Sequence, residues 1–192
     1  MKKLIVLAIA LIATISARAQ HEAGDLTLKP HVGLALAKST ESGVKFKPGF
    51  IAGIELEKYV SDMFGISGAI AISQQGHKDG NTKVKIDYAI IPILANVYVA
   101  EGLAIKAGVQ PAFKMRAKAT ADGSTIDLDK AFDLTDIKIK SFDFSIPVGL
   151  SYEFSNVVID ARYTFGLTNY TNVKEIGKNQ AILITLGYKF NL

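Results

Sequence analysis

Cysteine is absent from this chain of 192 residues, and so is any long apolar run beyond its N-terminus. Without a cysteine after the apolar N-terminal segment, a lipid-anchored lipoprotein is excluded. Without a later run of about 18 apolar residues, a helical membrane protein is excluded too, because a helix needs roughly 20 to cross a bilayer. Apolar residues nevertheless make up 49% of the chain, which is enough for one sizeable domain.

The chain also has little net charge once its N-terminal segment is removed. Residues 1–19 have the pattern of an export signal, with a basic start, an apolar segment at 4–15 and a small-x-small site at Ala17-Arg18-Ala19. Its removal leaves 19 of the 22 basic residues against 18 acidic ones, so the mature charge is about +1. The sequence pI of about 9.1 therefore does not indicate nucleic-acid binding. We expect residues 20–192 to form the exported domain.

Apolar residues alternate with small or polar residues through most of the exported part. In the last segment, one face consists of Ile182, Ile184, Leu186, Tyr188, Phe190 and Leu192. Because side chains alternate across a strand, such a segment predicts a β-strand with one apolar face. Eight segments share the pattern, at residues 26–37, 50–57, 64–73, 83–99, 103–114, 142–154, 157–165 and 180–192. They predict an all-β fold, an eight-stranded antiparallel up-and-down transmembrane β-barrel.

The connections between these segments agree with a membrane barrel, since long and short ones alternate. The two-residue turn Ser155-Asn156 pairs Phe154 with Val157, which matches the faces assigned from the alternation. Near Pro92 we expect a bulge and a change of register. Residues 76–81 are expected to form a loop, and residues 116–138 the longest gap, part of which extends the neighbouring strands above the membrane.

Aromatic residues gather at both ends of the predicted strands. Such bands predict girdles at the two membrane interfaces, with the apolar face between them touching lipid. The outer ends carry Phe50, Tyr88, Phe113, Phe142 and Phe165. The periplasmic ends carry Phe64, Tyr152, Phe154, Tyr188 and Phe190.

Charged residues fall on the opposite face, which points into the barrel. An eight-stranded barrel has an interior just wide enough for side chains, and an unpaired buried charge is costly. The sequence therefore predicts a lumen filled by paired charges instead of a conducting pore. The expected network is Lys29, His31, Glu55, Glu57, Lys106, Asp143, Glu153, Asp160, Arg162 and Lys189.

No catalytic residue, cofactor or metal site is predicted. A lipid-modifying outer-membrane enzyme would need a histidine beside a serine, and His77 with Ser73 is the nearest match. Acidic residues in 116–138 are candidates for Ca²⁺ binding, but the sequence lacks a D-x-[DN]-x-[DN]-G loop. It also lacks a Gly-rich loop that could bind a phosphate group. The main alternative is a soluble exported barrel, with its apolar face turned inward around a ligand.

Three motifs resemble the PorT-like outer-membrane β-barrel family of Bacteroidota. They are Phe144-Ser-Ile-Pro-Val-Gly-Leu-Ser-Tyr-Glu-Phe154, Asp160-Ala-Arg-Tyr-Thr-Phe-Gly-Leu-Thr-Asn169 and Gly187-Tyr-Lys-Phe190. The resemblance spans the mature chain and implies an eight-stranded barrel in a Gram-negative outer membrane. The expected partners are outer-membrane lipid and lipopolysaccharide, with the barrel-assembly machinery and periplasmic chaperones during biogenesis. The expected role is structural or in surface interaction, through the extracellular loops.

Overall fold

The computed structural model describes residues 22–41, 43–121, 124–128, 139–169, 171 and 177–192. The expected signal at 1–19 and residues 122–123 and 129–138 of the expected long gap lie outside this part of the chain. Within it, no helix is long and apolar enough to cross a bilayer.

Antiparallel strands form a single closed sheet. The strands are β1 (Leu26–Ser39), β2 (Lys45–Ser61), β3 (Phe64–Asp79), β4 (Thr82–Ile90), β5 (Ile93–Ala100), β6 (Leu103–Ala121), β7 (Ser124–Asp127), β8 (Phe142–Phe154), β9 (Val157–Asn169), β10 (Lys178–Tyr188) and β11 (Phe190–Asn191). Because β10 pairs with β1, the sheet closes. β4 and β5 share one position in the ring, β10 and β11 share another, and β7 pairs only the outer end of β6. The ring therefore has eight positions, and the predicted up-and-down barrel is confirmed.

Burial alternates along the strands in the predicted sense. In β10, for example, Ile184 and Leu186 are exposed on the outside, whereas Leu183 and Thr185 are buried inside. The register at the Ser155-Asn156 turn is also as predicted, with Phe154 opposite Val157, and Ser155 has the positive φ (54°) that two-residue hairpins favour. Because the apolar face lies outside and the charged face inside, the soluble ligand-binding alternative is wrong.

The strand that contains Pro92 is interrupted, but its register does not change. β4 ends at Ile90 and β5 begins at Ile93, yet the pairing with β3 runs from Ala71↔Ile90 to Gly68↔Ile93 without a shift. Proline cannot donate to a ladder, so the break is local. The shift in this ring position lies between Asp87 and Tyr88, on the β6 side. The predicted change of register at Pro92 is therefore wrong.

Several strands continue beyond the outer aromatic band. β3 runs through most of the predicted 76–81 loop, and only Gly80-Asn81 separates it from β4, so that loop prediction is wrong. β6 continues to Ala121, and β7 folds back on it with Lys118 opposite Asp127. The gap predicted at 116–138 therefore begins later, because β6 extends into it as far as Ala121, as expected for the strand before the gap.

Candidate functional site: the lumen

Five charged side chains meet in the middle of the lumen, contributed by β1, β2, β6 and β9. Both Lys29 and Lys106 contact the same oxygen of Glu55, at 2.9 and 2.8 Å. Lys106 also lies 3.3 Å from Asp160, which accepts a 2.7 Å bond from Arg162. All five side chains are almost fully buried. We call Lys29, Glu55, Lys106, Asp160 and Arg162 the middle layer.

Glycines on neighbouring strands make room for this layer. Gly149 lies directly opposite Arg162, and a Cβ at Gly149 would stand 2.7 Å from the Arg162 Cγ. A Cβ at Gly187 would likewise stand 2.9 Å from the Lys29 Cγ. The aliphatic parts of Arg162 and Lys29 occupy the space that a larger residue at either glycine would fill. The charged side chains of the middle layer therefore pack against the small residues of the inner face.

A second group of polar side chains closes the end of the lumen near the Ser155-Asn156 turn, which the sequence predicts to be periplasmic. The Lys189 ammonium lies 2.5 Å from Glu153 and 3.4 Å from Glu57, and it donates a 2.7 Å bond to the Tyr59 hydroxyl. Glu57 also accepts bonds from the Asn96 amide (2.6 Å) and the Tyr98 hydroxyl (2.8 Å). Lys189, Glu57 and Glu153 with these neutral neighbours form the periplasmic layer.

The two layers have opposite formal charge. Three cations meet two carboxylates in the middle layer, whereas one cation meets two carboxylates in the periplasmic layer. With ordinary protonation, the excess positive charge of one layer balances the excess negative charge of the other. Since buried charges are tolerated when they are paired and hydrogen-bonded, this arrangement allows the lumen to be both charged and filled.

An apolar layer lies in the outer half of the lumen, next to buried polar side chains such as Ser73 and Thr164. Its largest members are Ile51, Tyr88, Ile90 and Leu183, each no more than 1% exposed, and several alanines pack between them. Ile139 covers the same cluster from above, where Leu128 and Val84 also contact it. The two ionic layers therefore lie towards the predicted periplasmic end of the lumen, and the apolar layer lies towards the other end.

Two residues of the predicted network lie apart from the ionic layers. His31 is buried on the inner face of β1, two residues beyond Lys29 on the side away from the periplasmic layer, and its Nδ1 is 3.4 Å from the Lys29 carbonyl oxygen. Asp143 lies near the outer end of β8, where its carboxylate accepts bonds from the Thr168 hydroxyl and from the Phe144 backbone N–H. The other eight predicted residues form the two layers.

Most of the predicted girdle residues point outward. Phe113 and Phe142 contact each other at a ring-centroid distance of 5.4 Å at the outer end, and Tyr188 and Phe190 do so at 4.8 Å at the periplasmic end. Phe50, Phe165, Tyr152 and Phe154 are exposed, and Phe64 is half-buried. The prediction that Tyr88 belongs to the outer girdle is wrong, because its side chain points into the lumen. It shares its face with Ile90 and Leu94, since the register continues through Pro92.

Two lumen tyrosines were missed from the sequence. Tyr59 follows Glu55 and Glu57 on the inner face of β2, so the alternation alone could have identified it. Tyr98 lies on the inner face of β5, and the uncertain register at Pro92 concealed it. Their rings lie 5.4 Å apart and their hydroxyls 2.8 Å apart.

The candidate nucleophile and base do not meet. Ser73 is fully buried in the lumen and accepts a bond from Gln75, whereas His77 lies four residues further along the same strand. Four residues of a strand span roughly 13 Å, which exceeds hydrogen-bond reach. Within the described residues, no group of three or more histidine, aspartate or glutamate side chains is placed to hold a metal ion.

A closed antiparallel ring with an apolar exterior and a filled, charged interior defines a small transmembrane β-barrel. The chain belongs to the outer membrane protein beta-barrel domain family, whose family model matches residues 5–190. It is an outer-membrane barrel protein. A comparison with curated proteins found no match.

Solved structures show the same fold. Ail, the attachment invasion locus protein of Yersinia pestis, is 18% identical with a TM-score of 0.54, and the match covers 88% of this chain and 100% of Ail. Neisserial surface protein A is 16% identical with a TM-score of 0.54, covering 86% of this chain and 97% of that protein.

Proposed function

We propose that this protein is a closed outer-membrane scaffold that acts through its outer strand ends rather than through its lumen. The lumen is filled by two ionic layers and an apolar layer, which supports a structural role for its charges. We also propose that the exposed aromatic residues described above form the two interfacial girdles. The observation that carries the interaction role is the extension of β6 with β7 above the outer band.

This extension offers an edge to a partner. Among the described residues, β7 pairs only with β6, so its other edge has no strand beside it. Ile126 in β7 is 57% exposed, although it is a large apolar residue. An open strand edge with alternating side chains can bind an extended segment of another chain by strand addition. Long segments at loop positions are also commonly functional.

Shortening the extension tests this role. Replacing residues 120–135 by Asn-Gly should leave membrane insertion and heat-modifiable gel migration unchanged, because the pairs that close the barrel lie outside this segment. Crosslinking of a surface protein on intact cells should fall in this variant and in Ile126→Asp, while Lys140→Ala should behave as the unaltered protein. Failure of the shortened protein to assemble, or undiminished crosslinking, would contradict the proposal.

Several finer features belong to the same proposal. Residues 1–19 are a cleaved signal, so the mature N-terminal peptide should begin at Gln20 by mass measurement. The three motifs support a place among PorT-like barrels of Gram-negative envelopes. The partners are outer-membrane lipid, including lipopolysaccharide, and during biogenesis the barrel-assembly machinery and periplasmic chaperones. A separated Ser73 and His77 support a role without catalysis.

A further inference from the structure

Basic residues concentrate on the strand ends that rise above the outer aromatic band. We call residues 45–48 of β2, 76–79 of β3, 82–87 of β4 and 116–121 of β6, together with β7, the outer wall. It carries seven basic residues (Lys45, Lys47, Lys78, Lys83, Lys85, Arg116 and Lys118) and three acidic ones (Asp79, Asp87 and Asp127). The imbalance stands out in a mature chain that is otherwise nearly neutral.

Lysines of adjacent strands lie directly opposite one another on this wall. Lys45 is opposite Lys78, Lys78 is opposite Lys83, and Lys85 is opposite Lys118. Like charges at directly opposite positions destabilise a sheet. Lys45, Lys78, Lys83 and Lys85 are exposed, and no described carboxylate lies within ion-pair distance of these four ammonium groups. Within the part of the chain that the structure describes, no ion pair therefore compensates these four lysines.

Lys47 provides an independent observation at the same place. Its ammonium is enclosed and has no hydrogen-bond partner among the described residues. Burial lowers the pKa of Lys47, and the neighbouring Lys85 and Lys83 lower it as well, while Asp87 acts in the opposite direction. Asp87 is itself bonded to Arg116 at 3.1 Å. An enclosed cation among other cations is a position that an anion would stabilise.

We propose that Lys47, Lys83 and Lys85 bind a phosphate group on the headgroup of an outer-leaflet lipid. The remaining lysines of the outer wall add to the positive field around this site. The ammonium groups of these three lysines supply several hydrogen-bond donors to phosphate oxygens, and their positive charge is complementary to the negative charge of the phosphate.

Position in the membrane favours a lipid over a soluble anion. Phe113 and Phe142 mark the outer interface, and β6 carries Arg116 and Lys118 directly beyond Phe113. Lys83 and Lys85 lie on the same wall, since Lys85 is opposite Lys118. Basic residues immediately outside the hydrocarbon region attract anionic headgroups. This inference rests on the proposed outer location of these strand ends.

Lipid binding to the folded full-length protein tests the site. Native mass spectrometry in detergent would compare lipid A that carries two phosphates with the same lipid after dephosphorylation. The double variant Lys83→Ala, Lys85→Ala should bind the phosphorylated lipid about tenfold more weakly or worse. The matched control, Lys58→Ala with Lys178→Ala, removes two exposed lysines elsewhere and should bind normally. Heat-modifiable migration would verify that each variant is folded.

The outcomes separate this site from the proposed function. Labelling of Lys83 on intact cells by a membrane-impermeant amine reagent should succeed, and its failure would overturn the outer location itself. With successful labelling, equal binding by the double variant, an equal loss in the control, or no preference for phosphorylated lipid would overturn only this site. Displacement of the lipid by inorganic phosphate or a heparin fragment at comparable concentration would overturn the assignment to a lipid headgroup.

Discussion

Lys189 holds together the periplasmic layer of the lumen, with contacts to two carboxylates and to the Tyr59 hydroxyl. The middle layer is built differently, because Lys29, Lys106 and Arg162 share their two acidic partners. Loss of one cation from the middle layer leaves another cation beside each carboxylate. Loss of Lys189 leaves Glu57 with only neutral donors. The stability lost when one cation is removed therefore depends on how many other cations contact the carboxylates that remain.

Replacing Lys189 by methionine should destabilise the barrel strongly. Removing one partner of a buried ion pair typically costs about 3–5 kcal/mol, because a buried charge remains without compensation. Urea-induced unfolding from lipid vesicles would measure the free energy of unfolding. Lys58→Met, an exposed lysine near the same end of the barrel, is the control and should change it little.

A second substitution distinguishes charge from packing at this position. Glu57→Gln in the Lys189→Met background removes one of the two carboxylates that lose their contact with Lys189 and retains a similar volume, so it should restore part of the lost stability. If Lys189→Met were as stable as the Lys58→Met control, the ionic contacts would not stabilise the lumen.

At the scale of the strand, the outward face of β8 is expected to contact lipid. Val148 is 37% exposed on this face, in the middle of the strand, with Pro147 and Gly149 pointing inward. Arginine at the bilayer midplane of a barrel typically costs about 2–4 kcal/mol. Val148→Arg should therefore reduce the free energy of unfolding by that amount in the same urea assay.

An arginine beyond the membrane provides the comparison for this prediction. Lys140→Arg keeps the charge of an exposed residue next to the strand and should be nearly neutral. Equal stability of Val148→Arg and Lys140→Arg would contradict the assignment of this face to lipid.

Strand existence, facing and closure could be predicted from the sequence because the alternation is regular. In β8 and β9, the turn at Ser155 and the alternation independently gave the same register. The prediction of facing failed where the local sequence was compatible with two registers. A proline interrupts the ladder between β4 and β5, and the sequence does not reveal whether the register continues through it. That ambiguity reversed the facing of Tyr88 and concealed Tyr98.

The lumen was predicted in composition but not in arrangement. Alternation placed Lys29, Glu55 and Arg162 on one face, and elementary electrostatics required them to pair. Which charges pair depends on strand tilt and stagger, which bring β2, β6 and β9 to the same level. The 76–81 segment was predicted as a loop because glycine and asparagine favour turns, yet only Gly80-Asn81 is needed for the turn.

At the scale of the molecule, the filled lumen should not conduct. The apolar layer around Ile90 and Leu183 lies in series with the two ionic layers, so an ion would have to cross both kinds of barrier. The purified protein in planar lipid bilayers should show no stable conductance steps, whereas a water-filled porin recorded under the same conditions should show them. Reproducible steps from the folded protein would contradict a closed lumen.

The outer wall makes the barrel uneven around its axis. β2, β3 and β6 contain 17, 16 and 19 residues, whereas β8 and β9 contain 13 each. A neighbour in the crowded membrane therefore meets an upright charged sheet on one side and short strands on the other. A symmetric cylinder presents the same surface at every angle of rotation about the membrane normal. For this molecule, the angle of rotation decides whether a neighbour contacts the outer wall or the shorter strands.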